Sequence, residues 1–335
     1  MTRSFSIRKK RIRLPKRKKN KRKNVSESKP PFSAVWFLKQ GVNEMFRFIR
    51  CAENTYYLGC FANTGVYYLG NNEVVLIDGC DHKKSFTDLD GYLSERGWRV
   101  KMIINTHAHI DHITGNRFFV EKYGCDVYSS DVEHHLIELC NLEGEIYFNG
   151  LPINRERCYF FRPVGVKAKP VSEAPLPEGF EILPLPGHSF GMIAVRTPDG
   201  VWFTGDAVLS KETFEGYKLP FFFDINKSIE TQKMLSKLEG DYFVPSHSEP
   251  GNSISELALY NADCLEKLKE YFYSISDQRT LEEIFAVCCK DLSLKVENDQ
   301  YGKLLITVKG FLQALFEDGR LDAEIRDYKL VYFTK

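Results

Sequence analysis

Six residues, His107 to His112, hold three imidazoles and a carboxylate directly after the strand-like run Val100 to Asn105. Side chains of this kind, crowded together, carry lone pairs and charge at a cost that a cation removes. Imidazole nitrogen and carboxylate oxygen are the donors that suit zinc, iron or manganese. In an extended segment the alternation of His107 and His109 points both rings at one ion. Asp111 and His112 then turn towards a second ion, which in two-metal hydrolytic sites lies roughly 3.5–4 Å from the first.

The pattern His-x-His-x-Asp-His after a strand, followed by Gly115 and Asn116, resembles the signature of the metallo-β-lactamase superfamily. That family places a third ligand in a Gly-His step after a strand, and Leu183 to Gly191 supplies His188 there. Its bridging carboxylate follows a β-hairpin, as Asp206 follows Val201 to Gly205, and its last histidine closes another strand, as His247 follows Tyr242 to Ser246. The resemblance implies an α/β fold of the αββα sandwich type, two mixed sheets flanked by helices. It implies two divalent metal ions, zinc foremost with iron or manganese as the other choices. His107, His109 and His188 would hold one ion, Asp111, His112 and His247 the other, and Asp206 would bridge them. Metal-activated hydroxide would attack the substrate, with Asp111 also catalytic as the group that steers the proton. The glyoxalase-II-like branch, which cleaves thioesters, fits best, and lactones and other carboxylic esters come next, so the expected partner is a small-molecule ester or thioester. Three alternatives stand beside it: a phosphodiesterase or ribonuclease on the same two ions, a sulfur dioxygenase on a single iron, and a nucleic-acid-binding module with a vestigial metal site. A flavodiiron role is disfavoured, because that branch has Glu where His109 stands here.

These side chains need a frame that delivers them at strand ends. Runs rich in Phe, Tyr, Val and Ile from Val35 to Asp78, broken at Gly41, Gly65 and Gly70-Asn71-Asn72, predict a β-meander. The continuous apolar run Val74 to Ile77 predicts a strand buried on both faces, and the following Asp78 either orients a metal-site histidine from beneath or is an ordinary turn residue. Phe86, Leu89, Tyr92 and Leu93 give a helix over Lys83 to Gly97, and a second is expected over Thr114 to Gly124 with its N-terminal dipole towards bound anionic groups. Asp131 to Leu139 reads as a helix carrying His134 and His135 as surface or packing residues. Five prolines predict a loop or edge-strand excursion over Glu143 to Pro177. Met192 to Arg196 and Val201 to Thr204 flank Pro198-Asp199-Gly200 as a hairpin. A loop is expected over Lys211 to Asp224, and it is the candidate substrate wall. Tyr217 and Lys218 would hold a carboxylate or oxyanion, the alternative being that Phe221 to Phe223 are core and Lys218 is solvated.

Composition bounds the rest. The 335 residues suggest two domains after a tail: residues 1–30 as a disordered basic extension, 31–253 as the catalytic domain and 254–335 as a winged-helix-like module of three helices and a hairpin. Residues 1–30 hold 14 Lys and Arg against one acidic residue, whereas the remainder holds 32 basic and 44 acidic residues. Nucleic acid could engage the tail but is not favoured by the acidic body; the C-terminal 81 residues hold 11 basic and 15 acidic, so that module is expected to pack on the catalytic domain or mediate a homodimer. Nine scattered cysteines without a Cys-x-x-Cys pair suggest free thiols in a reducing compartment. No apolar run approaches the ~20 residues of a membrane span, so no membrane partner and a soluble, cytoplasmic protein are expected.

Overall fold

The computed structural model describes residues 46–148, 158–161 and 164–335. The basic tail, the strands expected before Phe46 and parts of the proline-interrupted stretch lie outside the described residues. Strands β1 (Arg47–Arg50), β2 (Thr55–Gly59), β3 (Thr64–Gly70) and β4 (Glu73–Ile77) pair antiparallel as the expected meander. Asn71 and Asn72, both in the left-handed region, close the two-residue turn between β3 and β4, where short polar side chains tolerate the positive φ. Helix α1 (Lys83–Glu95) then crosses to β5 (Arg99–Ile104), which lies parallel to β4. The short helix α2 (Ile110–Ile113) and helix α3 (Asn116–Tyr123) lead to β6 (Asp126–Ser129), parallel to β5, and β7 (Lys169–Pro170) completes a mixed seven-stranded sheet.

The second sheet holds β8 (Glu181–Pro184), β9 (Ile193–Arg196) and β10 (Val201–Phe203) in antiparallel order, with β11 (Tyr242–Val244) parallel to β10. Strand alternation explains the layering, since Val74 and Leu76 pack under α1 with Leu89 and Leu93 while Val75 and Ile77 face the other way. Those inner residues meet Ile193, Val195, Val201, Phe203 and Val244 of the second sheet. On its outer face Ala194, Trp202 and Phe243 are covered by Leu235 and Ala258 from the later helices. Helix, sheet, sheet, helix is the resulting order of layers, as expected.

Two helices arise where the sequence predicted loops. Helix α4 (Glu133–Glu138) matches expectation, but α5 (Leu142–Phe148) opens the proline-interrupted stretch, because its own seven residues contain no proline and bury Tyr147 and Phe148. Helix α6 (Lys211–Tyr217) replaces the first half of the expected loop, started by Ser210, whose hydroxyl accepts from the Thr213 amide at 3.1 Å. Helix α7 (Ile225–Leu235) follows, capped by Asp224.

The C-terminal segment contains α8 (Ser255–Ser276), α9 (Leu281–Asp291), α10 (Asn298–Glu317) and the antiparallel pair β12 (Leu321–Arg326) and β13 (Lys329–Thr334). Its core residues Leu265, Phe272, Ile284, Phe311 and Leu315 form one cluster with Leu209, Phe214, Phe222, Ile225 and Ile229 from the preceding segment. All nine cysteines are free thiols. Among the described residues no helix is long and apolar enough to cross a membrane.

Candidate metal centre

The seven residues singled out from the sequence converge at the ends of β5, β8, β10 and β11. His107 leaves β5 in extended chain, and His109, at φ −61° and ψ 149°, is the last extended residue before α2. The single turn of α2 swings Asp111 and His112 away from the direction of the two earlier rings, which is how one short segment serves two groups. His188 follows Gly187, whose φ of +128° suits only glycine and whose Cβ position is occupied by the backbone of Ser228 on α7.

Two groups of donors result. His107, His109, His188 and Asp206 offer atoms all within 4.8 Å of one another, and so do Asp111, His112, Asp206 and His247. Asp206 belongs to both. Its Oδ2 lies 3.3 Å from His188 Nε2 and 3.2 Å from His247 Nε2, and its Oδ1 lies 3.2 Å from His112 Nε2. His109 Nδ1 stands 2.9 Å from His188 Nε2, and Asp111 Oδ2 stands 3.2 Å from His247 Nε2. Donors about 2.0–2.1 Å from a tetrahedral ion are roughly 3.3 Å from each other, so these spacings suit such an ion. The burial agrees: His107 Nε2 is buried without a hydrogen-bond partner, and His112 Nε2 and Asp206 Oδ1, buried 3.2 Å apart, meet without good hydrogen-bond geometry. Orphaned groups of this kind cost about 1–3 kcal/mol each, a cost that coordination would remove.

The opposite nitrogens of four rings are held by the protein, which leaves the inward nitrogens to act as donors. Asp78 Oδ2 is 2.8 Å from His112 Nδ1 and also accepts from the Thr106 hydroxyl, while its Oδ1 accepts from the Thr106 amide at 2.8 Å. Asp78 is therefore the orienting residue beneath the loop and not an ordinary turn aspartate. His247 Nδ1 donates to the Phe61 carbonyl at 2.8 Å, and His107 Nδ1 lies 3.0 Å from the Thr106 hydroxyl. His109 Nε2 lies 2.9 Å from Glu143 Oε1 and 3.3 Å from the Tyr147 hydroxyl.

Charge does not follow the same division: burial opposes protonation of His109, but the Glu143 carboxylate overrides it and raises the ring above its usual value. Burial pushes His107 well down and His188 to about 4, which keeps both neutral, as ligands must be. Burial also opposes protonation of His112 and His247, but Asp206 and its carboxylate neighbours override it, raising His112 well above its usual value and His247 to about 10. Burial would raise Asp111 and Asp206, yet the adjoining imidazoles hold both carboxyls well below the usual range. The positive charge gathered on His112 and His247 is the charge a divalent ion would replace.

The candidate substrate residues fall elsewhere. Tyr217 ends α6 at the surface, 41% exposed, and the Lys218 ammonium donates to the Leu292 carbonyl beyond α9 at 2.8 Å. The aromatic run after them does reach the cluster: the Phe221 ring centroid is 5.4 Å from that of His109, and Phe222 is 5.5 Å from His188. Phe221 and Phe222 are buried, so this part of the segment is core. His134 and His135 lie side by side with rings tilted by 38°, outside both donor groups.

Three functional neighbours were missed in the sequence. Glu133 binds two loops of the site together, accepting from the Ala108 amide at 3.0 Å, the Ser189 hydroxyl at 2.6 Å and the Gly191 amide at 2.7 Å. Glu143 and Tyr147 lie four residues apart, one turn along α5, a spacing that would have been informative had the helix been recognised. Together with His109, Phe221 and Phe223 these residues line a small pocket.

The profile of the Metallo-beta-lactamase superfamily matches residues 57–247. The hydroxyacylglutathione hydrolase of Brucella anthropi is 26% identical over 203 residues, which cover 58% of this chain and 65% of that protein. The protein of the same name from Brucella ovis is 27% identical over 148 residues, covering 42% of this chain and 48% of its own length. The chain thus spans less than two thirds of these curated relatives. A solved metallo-beta-lactamase family protein from Thermus thermophilus superposes with a TM-score of 0.61 at 20% identity, covering 82% of this chain and 94% of that one. A beta-lactamase domain protein from Burkholderia ambifaria gives 0.63 at 15% identity, covering 87% and 94%. At such identities the likeness is one of fold. Because the profile match starts in β2, ends on His247 and takes in more than half of the chain with all seven clustered residues, the chain belongs to the metallo-beta-lactamase superfamily.

Proposed function

We propose that the protein is a metal-dependent hydrolase that uses two divalent ions, zinc foremost with iron or manganese as the other choices, on a thioester or a related carboxylic ester or lactone. The observation that carries this reading is the pair of four-donor groups sharing Asp206, with buried nitrogens aimed inward and unpartnered. His107, His109 and His188 would hold one ion and Asp111, His112 and His247 the other, with Asp206 common to both. Ions held there supply Lewis acidity, which activates water and polarises a carbonyl, so the chain needs no serine or cysteine nucleophile.

The protein's own groups do the rest. Asp111, whose carboxylate lies beside His247 Nε2, would accept a hydrogen bond from the attacking water and so steer its proton. Phe221 and Phe222 exclude water from the side of His109 and His188. The partial relatedness to hydroxyacylglutathione hydrolases supports a thioester among the carboxylic substrates. Purified protein should contain close to two transition-metal ions per chain and turn over members of a thioester and lactone panel, with activity lost on chelation and restored by zinc. One ion per chain would overturn the two-ion reading, and turnover confined to phosphodiesters would overturn the substrate class.

A further inference from the structure

Glu143 is a carboxylate with almost no access to water and no part in either donor group. It stands on α5, outside the strand-end loops that carry the seven donors, and its Oε1 meets His109 Nε2 at 2.9 Å. The Tyr147 hydroxyl donates to the same oxygen at 2.6 Å and lies 3.3 Å from the same ring nitrogen. Tyr147 is itself buried, wedged between Phe160 and Phe221 at ring-centroid distances of 5.1 and 5.3 Å. A buried carboxylate is retained only where donors satisfy it, and here the donors are His109 and Tyr147.

This arrangement favours the tautomer of His109 that carries its proton on Nε2. With Nε2–H donating to Glu143, Nδ1 keeps its lone pair and faces His188 Nε2 at 2.9 Å, inside the group of His107, His109, His188 and Asp206. Behind α5 lies α10 of the C-terminal segment. A Cβ on Gly302 would run into the Tyr147 carbonyl and come within 2.9 Å of the Phe148 ring, so the two helices touch through bare backbone at that point. A side chain there would move the helix that carries Glu143.

We propose that Glu143, clamped by Tyr147 and backed by α10, is the positioning residue of His109 and thereby sets the metal affinity of the group containing His107, His109, His188 and Asp206. The inference rests on reading that group as an ion site. It also ties the C-terminal segment to the metal centre, since the backing helix belongs to that segment.

The test is a metal titration of the full chain against a chromophoric chelator, with Co²⁺ as the spectroscopic probe, for the unaltered protein, Glu143→Gln and Tyr147→Phe. Glu143→Gln should weaken one of the two ions by about 10–100-fold and change the absorption bands of that ion alone, since orienting partners of ligands typically act on this scale. Tyr147→Phe, which keeps the carboxylate and removes its second donor, should weaken the same ion by less. The other ion should keep its affinity in both variants, an outcome that general loosening of the fold would not produce. Two ions bound by Glu143→Gln as tightly as by the unaltered chain would overturn the inference and leave the proposed function standing. Equal weakening of both ions would also overturn it. An unaltered chain that takes up no pair of ions would instead bring down the reading on which the inference rests.

Discussion

Asp78 shows how much of the centre depends on residues that touch no ion. Its backbone sits at φ +68°, where a residue with a Cβ is uncommon and where Asp and Asn are the most tolerant. From there its two oxygens reach the Thr106 amide, the Thr106 hydroxyl and His112 Nδ1. Asp78→Asn should preserve the left-handed backbone and the overall shape while removing the charge that holds the His112 ring. The expected result is a loss of about 10–100-fold in affinity for the ion assigned to Asp111, His112 and His247, read by chelator competition. Unchanged affinity would show that the Thr106 contacts alone orient the loop. The crowded segment from His107 to His112 was legible at this scale because residue type and spacing are local properties, whereas His188, Asp206 and His247 were singled out by their place in the family pattern. Glu143, Tyr147 and the Phe61 carbonyl were not, since nothing in their own neighbourhoods marks them.

At the scale of elements, the hairpin of β9 and β10 is fastened to the first sheet by Asp199 in its turn. That carboxylate accepts from the Asn54 amide at 2.7 Å, from the Thr197 hydroxyl at 2.7 Å and from the Thr55 hydroxyl. Burial would raise its pKa, but the Thr55, Asn54 and Thr197 donors outweigh burial and hold it below the usual value. A carboxyl depressed in the folded state stabilises the fold above its unfolded pKa of about 3.9, and that contribution disappears as pH falls through the lower folded value. Asp199→Asn should therefore reduce stability in urea by about 1–2 kcal/mol at pH 7, with the gap to the unaltered protein closing below about pH 4. A gap independent of pH would show that the charge is not what matters. The strands were legible from their apolar runs rich in Phe, Tyr, Val and Ile between turn residues, whereas α5 and α6 were hidden by the prolines and the aromatic run beside them.

For the whole molecule, the C-terminal helices and the segment from Leu209 to Ile229 share one apolar cluster. Phe311 is fully buried in it and stacks on Phe272 at a centroid distance of 4.6 Å. Phe222 belongs to the same cluster and also lies against His188. Phe311→Ala should cost about 3–5 kcal/mol of stability, measured by denaturation, and should lower metal retention on mild heating because the cluster supports Phe222. Full stability in that variant would mean that the C-terminal helices are not integral to the core. The acidic balance of residues 255–335 argues for this packing role over phosphate binding.

The sequence by itself determined the crowded His107 to His112 segment at a strand end, the apolar run of β4 that is buried on both faces, and the three helices with a closing hairpin at the C-terminus, while the family pattern singled out His188, Asp206 and His247 as the remaining candidate donors. The crowded segment, the apolar run and the helices rest on local chemistry or short periods, which survive in a linear string. Only the tertiary structure decided that the outer nitrogen of His109 meets Glu143, that His247 is held by the carbonyl of Phe61, and that Lys218 reaches Leu292. These contacts join segments far apart in the chain, and their partners are chosen by how the layers pack. Helix α10 backs α5 for the same reason: a bare glycine at position 302 marks a close approach, but only packing names what approaches.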